Sequence, residues 1–219
     1  MAVKNIQKRT EILAVSYTLF SERPYDKVSL SDIARGAGIN KSLLQSYYGQ
    51  KIDLIKTLLS DLLSVSFSYM DGISYENDDL FQKISDFNML FFKGVDNNLH
   101  LKQFIISSVS QPELLDTWID TICSWLRQYC GEETFSYLQL KKAMCFAMGG
   151  SMHLYVHQDE FGIDYRQICR RHIRTILSFL DYQLQTTEAI IQKTDENIAM
   201  YEIGSYLSFC EKNIGWLEL

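Results

Sequence analysis

Apolar residues at helical spacing run through almost the whole chain, and this feature most limits what the chain can fold into. In the N-terminal part, Ile6, Leu13, Tyr17 and Phe20 are separated by 7, 4 and 3 residues, which places them on one face of a helix. The strict alternation of apolar and polar residues that is typical of β-strands is almost absent, and the 219 residues include only two prolines. The sequence therefore predicts an all-α protein.

Breaks in the helical pattern divide the chain into a run of short helices followed by longer ones. The clearest breaks are 22–26, 36–38, 49–50, Asn77-Asp78, Pro112 and 161–164. We expect helices at about 5–20, 29–36, 40–48, 51–70, 77–94, 99–110, 113–130, 133–158 and 164–186, with one or two more between 188 and 216. We place a head at residues 1–52 and a larger helical bundle at residues 53–219.

The composition is that of an ordinary globular protein, with 47% hydrophobic and 22% charged residues. The polar N-terminus does not resemble a signal peptide, and no apolar run approaches the length of a membrane span, so we expect a cytoplasmic protein. The five cysteines include no CxxC pair, which favours reduced thiols over a disulfide framework.

Charge is distributed unevenly along the chain. Residues 1–56 contain nine basic and five acidic side chains, a net charge of +4, whereas residues 57–219 carry a net charge of −10. A basic head on an acidic body is expected when only one end of a protein meets phosphate. The asymmetry is modest, so the charge pattern alone does not decide between nucleic-acid binding and chance.

Residues 29–48 have the pattern of a helix-turn-helix. Ser29 and Asp32 are spaced like a capping box at the start of a short helix, Gly36 and Gly38 allow a tight turn, and Asn40 is a suitable N-cap for the next helix. Apolar residues line the inner faces, and the outer face of the second helix is polar. In such motifs the second helix enters the major groove of DNA. The alternative is a helical hairpin with a solvated face.

The stretch from Arg9 to Leu54 resembles the DNA-binding head of the TetR (tetracycline-repressor-like) family. The matching residues are 9–13, Leu19-Phe20, 25–34, 37–44, Tyr47-Tyr48, Lys51 and Leu54, in the same order and spacing with no gap. The resemblance covers about the first quarter of the chain. It implies an all-helical homodimer with a ligand-binding body, in which a small molecule relieves repression.

By this resemblance, several residues are candidates for DNA contact. Ser29 would open the supporting helix and bond to a phosphate, while Gln45 replaces the tyrosine that is usual in the family and could read adenine. Asn40 and Tyr48 are milder departures. The candidate DNA-binding residues are Ser29, Lys41, Ser42, Leu43, Gln45, Ser46, Tyr47 and Lys51.

The resemblance also implies that residues 133–186 pair with a second copy of the chain as a four-helix bundle. A mostly small stripe and a mostly large one could interdigitate there. The candidate interface residues are Ala143, Ala147, Gly150 and Leu154 on the first helix, and Ile173, Ile176 and Leu180, together with Cys169, on the second. The alternative is that both stripes pack inside one subunit.

Aromatic and methionine residues at helical spacing form candidate walls of an effector pocket. They are Phe87, Phe91, Phe104, Trp118, Trp125, Met144, Met148 and Met152, and they would accept a small apolar or aromatic molecule. The alternative for each of these residues is an ordinary place in the core.

The sequence predicts no enzyme and no cofactor. We find no glycine-rich phosphate loop, nucleophile elbow or carboxylate pair placed for acid–base chemistry. His153 and His157 have the spacing of a two-histidine metal site, but a third ligand at a defined offset is missing, so no metal is predicted. Cys123 and Cys130 could form a redox sensor, although small buried apolar residues are the favoured interpretation.

Overall fold

The structure is a computed structural model that describes residues 2–73, 80–129 and 136–219, and within these ranges it contains helices and no strands. Its α-helices are α1 (Ala2–Glu22), α2 (Leu30–Gly36), α3 (Lys41–Tyr47), α4 (Lys51–Asp71), α5 (Leu80–Asp96), α6 (Leu99–Val109), α7 (Pro112–Leu126), α8 (Tyr137–Val156), α9 (Gln158–Phe161), α10 (Tyr165–Phe179), α11 (Leu184–Met200) and α12 (Ile203–Asn213). The prediction of an all-α protein is confirmed.

Most predicted helices agree with the structure to within a few residues, but the helix expected over 164–186 is divided in two. Asp181 adopts a left-handed conformation with φ of 61°, so α10 ends at Phe179 and α11 begins at Leu184. No glycine or proline marks this break, which is why the sequence pattern missed it. The predicted helix starts at 77 and 133, the end at 130 and the Asn77-Asp78 break lie outside the described residues.

The first three helices form a head, defined here as α1–α3, that packs on the N-terminal part of α4. Ile12 and Phe20 of α1 and Ile33 of α2 are fully buried in the core of this head. Ile6 was expected on the same buried face, yet its side chain is 65% exposed. Among the described apolar side chains of α1, the buried ones therefore begin at Ile12.

Helices α4–α12 form the body, with α5 at its centre. Almost every described side chain of α5 is buried, because the helix is surrounded by α4, α6, α10, α11 and α12. Helix α11 docks on α5 through buried polar groups as well as apolar ones. Thr194 Oγ1 donates to Ser85 Oγ at 2.7 Å, and Asn197 Nδ2 donates to an Asp86 oxygen at 2.7 Å.

The C-terminal segment returns to the N-terminal part of the molecule. Tyr206 of α12 is hydrogen-bonded to Ser66 of α4 at 2.8 Å, and the following residues Ile214, Trp216 and Leu217 are buried. The indole nitrogen of Trp216 donates to Asp61 of α4 at 2.9 Å. This acidic end of the chain, for which the sequence predicted only one or two added helices, therefore acts as a strap between the body and α1.

Among the residues that the structure describes, no helix combines the length and hydropathy needed to cross a bilayer.

Candidate nucleic-acid interface and ligand-binding core

A tight turn joins α2 to α3. Gly38 has φ of +63°, a conformation that glycine adopts without steric cost. The Ile39 N–H donates to the Ala34 carbonyl across this turn at 2.9 Å, and Asn40 Oδ1 accepts the Leu43 N–H at 2.8 Å to cap α3. The predicted glycine turn and asparagine cap are thus present, and they determine the direction in which α3 leaves α2.

One side of α3 is buried and the other faces solvent. Leu44 is fully buried and Tyr48, which follows the helix, is nearly so. The opposite side carries five exposed candidate residues: Lys41, Ser42, Leu43, Gln45 and Ser46, with Tyr47 half-buried beside them. Leu43 is 42% exposed although it is apolar. The helix therefore presents a mainly polar surface around one exposed leucine.

Ser29 is engaged in capping α2. Its hydroxyl donates to Asp32 Oδ2 at 2.7 Å and accepts the Asp32 N–H at 3.1 Å, while its own N–H donates to the same carboxylate. These bonds lower the pKa of Asp32. Since a hydroxyl has only one proton, Ser29 must exchange its partner before it can donate to a phosphate.

Lys51 is less free than the sequence suggested. Its ammonium donates to the Tyr25 carbonyl at 2.6 Å and to the Val28 carbonyl at 2.8 Å, and it lies 3.8 Å from the centre of the Tyr25 ring. Partial burial lowers the pKa of Lys51. The residue thus ties the first turn of α4 to the segment before α2, with one donor proton left for another partner.

The head meets the body at a junction built by α1, α4, α6 and the C-terminal strap. Tyr17 of α1 packs with ring centroids 5.5 Å from Phe104 of α6 and 5.3 Å from Trp216. Ser107 Oγ also donates to the Phe20 carbonyl at 3.2 Å. Burial raises the pKa of Asp61, which accepts the Trp216 indole N–H. Phe104 therefore belongs to this junction, and the structure does not group it with the other effector candidates.

The remaining aromatic candidates form one buried cluster that extends inward from the C-terminal end of α4. Phe67 of α4 is stacked on Trp125 at 4.3 Å, and Phe87 lies 5.6 Å from both Trp125 and Phe91. Phe91 in turn makes an edge contact with Trp118 at 5.6 Å. The structure therefore brings these four candidates together, in direct contact with one another.

The methionine candidates are also buried. Met144, Met148 and Met152 lie along one side of α8, and none is more than 4% exposed. The sequence analysis did not select Phe92 and Tyr155, two residues that lie beside the aromatic cluster and whose rings are 4.7 Å apart. Helical spacing did not single them out, because Phe92 directly follows Phe91 and Tyr155 follows a stretch of α8 in which polar and apolar residues are mixed.

A carboxylate at the end of α4 holds the outer edge of this cluster. Asp71 accepts the Trp125 indole N–H at 3.2 Å and the Lys83 ammonium at 3.1 Å, and it is also bonded to the Tyr129 hydroxyl. Next to it, a groove of about 610 Å³ runs between α4 and α7 and is lined by Phe67 and Trp125. Helix α4 is therefore fastened to the head at Lys51 and to the aromatic cluster at Asp71.

The surface that α8 and α10 leave for a partner differs from the predicted stripes. Ala143, Ala147, Ile173 and Ile176 are buried within the protomer, where α8 packs against α10. Cys169 is buried as well, while Leu154 and Leu180 are half-buried and Gly150 is exposed. Four candidates are therefore covered within one protomer, while Gly150, Leu154 and Leu180 keep exposed surface, and the pairing of this set with a second copy stays a prediction.

A different strip of α8 and its neighbours stays exposed. This uncovered face consists of Phe146, Gly149, Gly150, His153, Phe161 and Phe179. Phe146 is 70% exposed and its ring lies 6.1 Å from that of Phe179, while His153 lies 6.4 Å from Phe161. Exposed aromatic rings in a continuous strip are typical of an interaction surface.

The geometry gives little support to a metal site at His153 and His157 or to a redox sensor at Cys123 and Cys130. The rings of His153 and His157 are 4.6 Å apart, and His157 Nδ1 lies 3.2 Å from Glu160. Within the described ranges, no group of three histidine, cysteine or carboxylate side chains is placed to hold a metal ion. Cys123 is fully buried and Cys130 lies outside the described residues.

Comparison with known proteins finds a family match for the head and a similar fold for most of the chain. Residues 12–58 match the family model of bacterial regulatory proteins, tetR family. No curated protein matches the sequence. A TetR-family regulator from Streptomyces coelicolor A3 is similar in structure, with a TM-score of 0.58 and 19% identity over 80% of this chain and 96% of that chain.

Two structures that contain a bound ligand are also similar. RolR in complex with resorcinol has a TM-score of 0.66 and 14% identity, covering 87% of this chain and 96% of that chain. FadR from Thermus thermophilus in complex with lauroyl-CoA has a TM-score of 0.56 and 14% identity, covering 77% of this chain and 93% of that chain. Residues 12–58 thus match the model of the TetR family of bacterial regulatory proteins, and the fold of most of the chain is similar to that of a solved TetR-family regulator.

Proposed function

We propose that this chain is a homodimeric transcriptional repressor that leaves a palindromic operator when a small apolar or aromatic effector binds its body. Residues 1–52 would be the DNA-binding domain and residues 53–219 the effector-binding and dimerisation domain. The observation that carries the proposal is α3, which follows a tight glycine turn, is anchored by buried Leu44 and presents Lys41, Ser42 and Gln45 to solvent.

The exposed side of α3 has the chemistry that reading DNA requires. Gln45 can donate to and accept from the major-groove edge of adenine, and exposed Leu43 can contact a thymine methyl group. Lys41 can neutralise a phosphate, and Ser42, Ser46 and Tyr47 can bond to phosphate oxygens. Ser29 and Lys51 would act first by positioning α2 and α4, since both already have partners within the head.

A second copy of the chain is the proposed occupant of the uncovered face. A two-fold axis through α8 would set Phe146 and the two adjacent glycines of each protomer against the other, an isologous contact of the commonest kind. Exposed Gly149 and Gly150 would allow the two helices to approach closely. The two heads would then enter successive major grooves about 34–36 Å apart, as a palindromic operator demands.

The effector is proposed to bind next to the aromatic cluster of the body. RolR and FadR, whose folds are similar, bind resorcinol and lauroyl-CoA in their structures. Methionine and aromatic side chains can repack around such molecules. Phe87, Phe91, Trp118, Trp125, Met144, Met148 and Met152 remain the candidates, whereas Phe104 would act at the junction between head and body.

Helix α4 is the natural carrier of the signal between the two sites. A shift of Trp125 would act on Asp71 at one end of α4, and the other end holds the head through Lys51. The effector must bind more tightly to the conformation that does not bind the operator, because otherwise it would not change the populations of the two conformations. Operator DNA must then weaken effector binding by the same factor, which is measurable by titration with and without DNA.

The direct test is selection of sheared genomic DNA on the purified protein, followed by sequencing of the bound fragments. An enriched short palindrome would support the proposal, and neighbouring genes would suggest the class of effector. The same selection with Lys41→Ala and Gln45→Ala together is the matched control, since the fold is retained and the exposed face is altered. If wild type enriches nothing even at low salt, the proposal fails and an enzyme or an adaptor has to be considered.

A further inference from the structure

Four buried polar side-chain atoms in the body have no hydrogen-bond partner among the described residues. One is Arg170 Nε, whose guanidinium is already paired with Asp195 through another nitrogen. The other three are Asn88 Nδ2 on α5, the Tyr155 hydroxyl on α8 and His172 Nε2 on α10, here called the polar trio. Each of these residues is at least 95% buried. Buried polar atoms are nearly always bonded, and leaving one unpaired is costly. Three of them in one region call for a common explanation.

The contacts between the helices place the trio in one locus. Cys169 Sγ lies 3.6 Å from the Asn88 carbonyl, and His172 is one helical turn further along α10. His172 Nδ1 lies 3.1 Å from Ser151 Oγ, and Tyr155 is one turn beyond Ser151 on α8. The ring of Tyr155 also packs against Phe92, one turn beyond Asn88. The three residues therefore lie within one helical turn of contacts that join α10 to α5, α10 to α8, and α5 to α8.

The hydrogen-bonding needs of the histidine follow from its neutral state. Burial lowers the pKa of His172 to about 4, so its ring is neutral at physiological pH. His172 Nδ1 lies 3.1 Å from Ser151 Oγ, and a neutral imidazole carries its single proton on one of its two nitrogens. His172 Nε2 therefore needs a donor in one tautomer and an acceptor in the other.

Complementarity to the trio defines a chemical class. Asn88 Nδ2 offers a proton, while His172 Nε2 and the Tyr155 hydroxyl can each accept or donate one. A hydroxyl group both accepts and donates, so it satisfies Asn88 Nδ2 and either tautomer of His172, whereas an ether or a carbonyl only accepts. The three groups are neutral, which favours a neutral ligand over an ion in this buried setting. The Phe92 ring lies 4.7 Å from that of Tyr155 and 6.3 Å from that of Trp118, so the neighbourhood of the trio is aromatic, which suits an aromatic ligand.

We infer that Asn88, Tyr155 and His172 are the polar contacts of a small, neutral, hydroxylated aromatic ligand. The inference rests on the proposed function only in taking this ligand to be the effector. Met148 and Met152 on the adjacent turns of α8 provide side chains that can repack to admit a ring. The site differs from the purely apolar pocket expected from the sequence, because its specificity comes from hydroxyl groups.

The test compares two probes of the same shape with the full-length protein. Resorcinol carries two hydroxyl groups where m-xylene carries two methyl groups, and binding is measured by calorimetry. We expect wild type to bind resorcinol at least about tenfold more tightly than m-xylene, the difference that one or two hydrogen bonds supply. Equal binding of the two probes, or no binding of resorcinol, would overturn the inference.

Two variants locate the site. Tyr155→Phe removes one oxygen and keeps the ring, so it should weaken resorcinol binding about fivefold to tenfold and leave m-xylene binding unchanged. Asn88→Leu should act in the same direction. Tyr137→Phe, at the opposite end of α8, is the matched control and should change neither. A loss of resorcinol affinity in the control equal to that in Tyr155→Phe would place the ligand elsewhere.

DNA binding separates this inference from the proposed function. If resorcinol binds as expected but leaves DNA binding intact, the ligand site stands and the effector role fails. If operator DNA is bound and no probe binds, the trio has another role and the regulatory proposal is unaffected.

Discussion

Replacement of Lys41 by alanine tests the central part of the proposed function. Lys41 is the first residue of α3 and is exposed, so its side chain can be removed without disturbing the core of the head. The N-cap of α3 is the side chain of Asn40 and stays in place. The variant should therefore fold as wild type does, with a melting temperature within about 1 °C, and differ only in how it meets phosphate.

The size of the effect follows from counterion release. Each phosphate neutralised on double-stranded DNA contributes about 0.9 to the slope of log K against log salt concentration. A dimer has two copies of Lys41, so the slope should become shallower by about 1.8. Over a fourfold rise in salt, from 50 to 200 mM, wild type should then lose about tenfold more affinity than the variant.

The assay is a fluorescence-anisotropy titration of a labelled duplex at four salt concentrations between 50 and 200 mM. The matched control is Lys212→Ala, which removes the same charge from an exposed position near the end of α12, remote in sequence from α3. Both variants have the same net charge, so a difference between them reports a local contact. We expect the control to keep the slope of wild type.

Two results would refute this reasoning. A slope for Lys41→Ala equal to that of wild type would show that Lys41 does not neutralise a phosphate. Equal reductions in both variants would show that DNA responds to the overall charge of the protein, and α3 would then lose its special role.

The remaining predictions concern the strap, the buried histidine and the α5–α12 contact. Trp216→Ala should lower the free energy of unfolding by about 3–5 kcal/mol, because it removes a buried ring and an indole hydrogen bond. Wild-type stability of this variant in urea unfolding would contradict the role of the C-terminal segment as a strap. The pKa of His172 is about 4 in the folded protein against 6.5 in the unfolded chain, so the unfolded chain binds the proton first and stability falls as pH drops below 6.5. Between pH 6.5 and 5 wild type should lose about 1.6 kcal/mol more than His172→Gln, measured by urea unfolding at both pH values, and parallel losses would exclude this residue as the cause. A Cβ at Gly94 would lie 2.7 Å from a Tyr206 ring carbon, so Gly94→Ala should destabilise the protein by about 1–3 kcal/mol. A Cβ at Gly204 would meet open space, so Gly204→Ala should not cause this loss. Equal melting curves for the two variants would contradict the prediction, since they would show that α12 moves aside at no cost in stability.

The effector candidates show how far helical periodicity alone can be taken. It correctly selected side chains that are buried on one side of each helix, such as Phe91 and Met148. It could not assign them to neighbours, so Phe104 was grouped with residues from which the fold separates it. Periodicity also selects for apolar residues, and the polar trio, which carries the ligand inference, was therefore invisible to it.

The dimer candidates show a related limit of helical periodicity. Ala147 and Ile173 have the spacing of an interface, and both are buried within one protomer, where α8 packs against α10. Apolar residues at helical spacing predict only that this face of the helix will be buried. Whether the cover comes from the same chain or from a second copy depends on how the loops direct the helices, and the break at Asp181 gave no signal in the sequence.

The head was determined almost entirely by the sequence. Its capping box at Ser29, its turn at Gly38 and its cap at Asn40 are interactions between residues no more than five positions apart, so the types and spacing of the residues are sufficient to specify them. The tertiary structure alone decided what lies far apart in the chain: the bonds of Lys51 to the segment before α2, and the return of Trp216 to α1. Such contacts depend on the path of the whole chain through space, because their energy is gained only after every intervening helix has been packed.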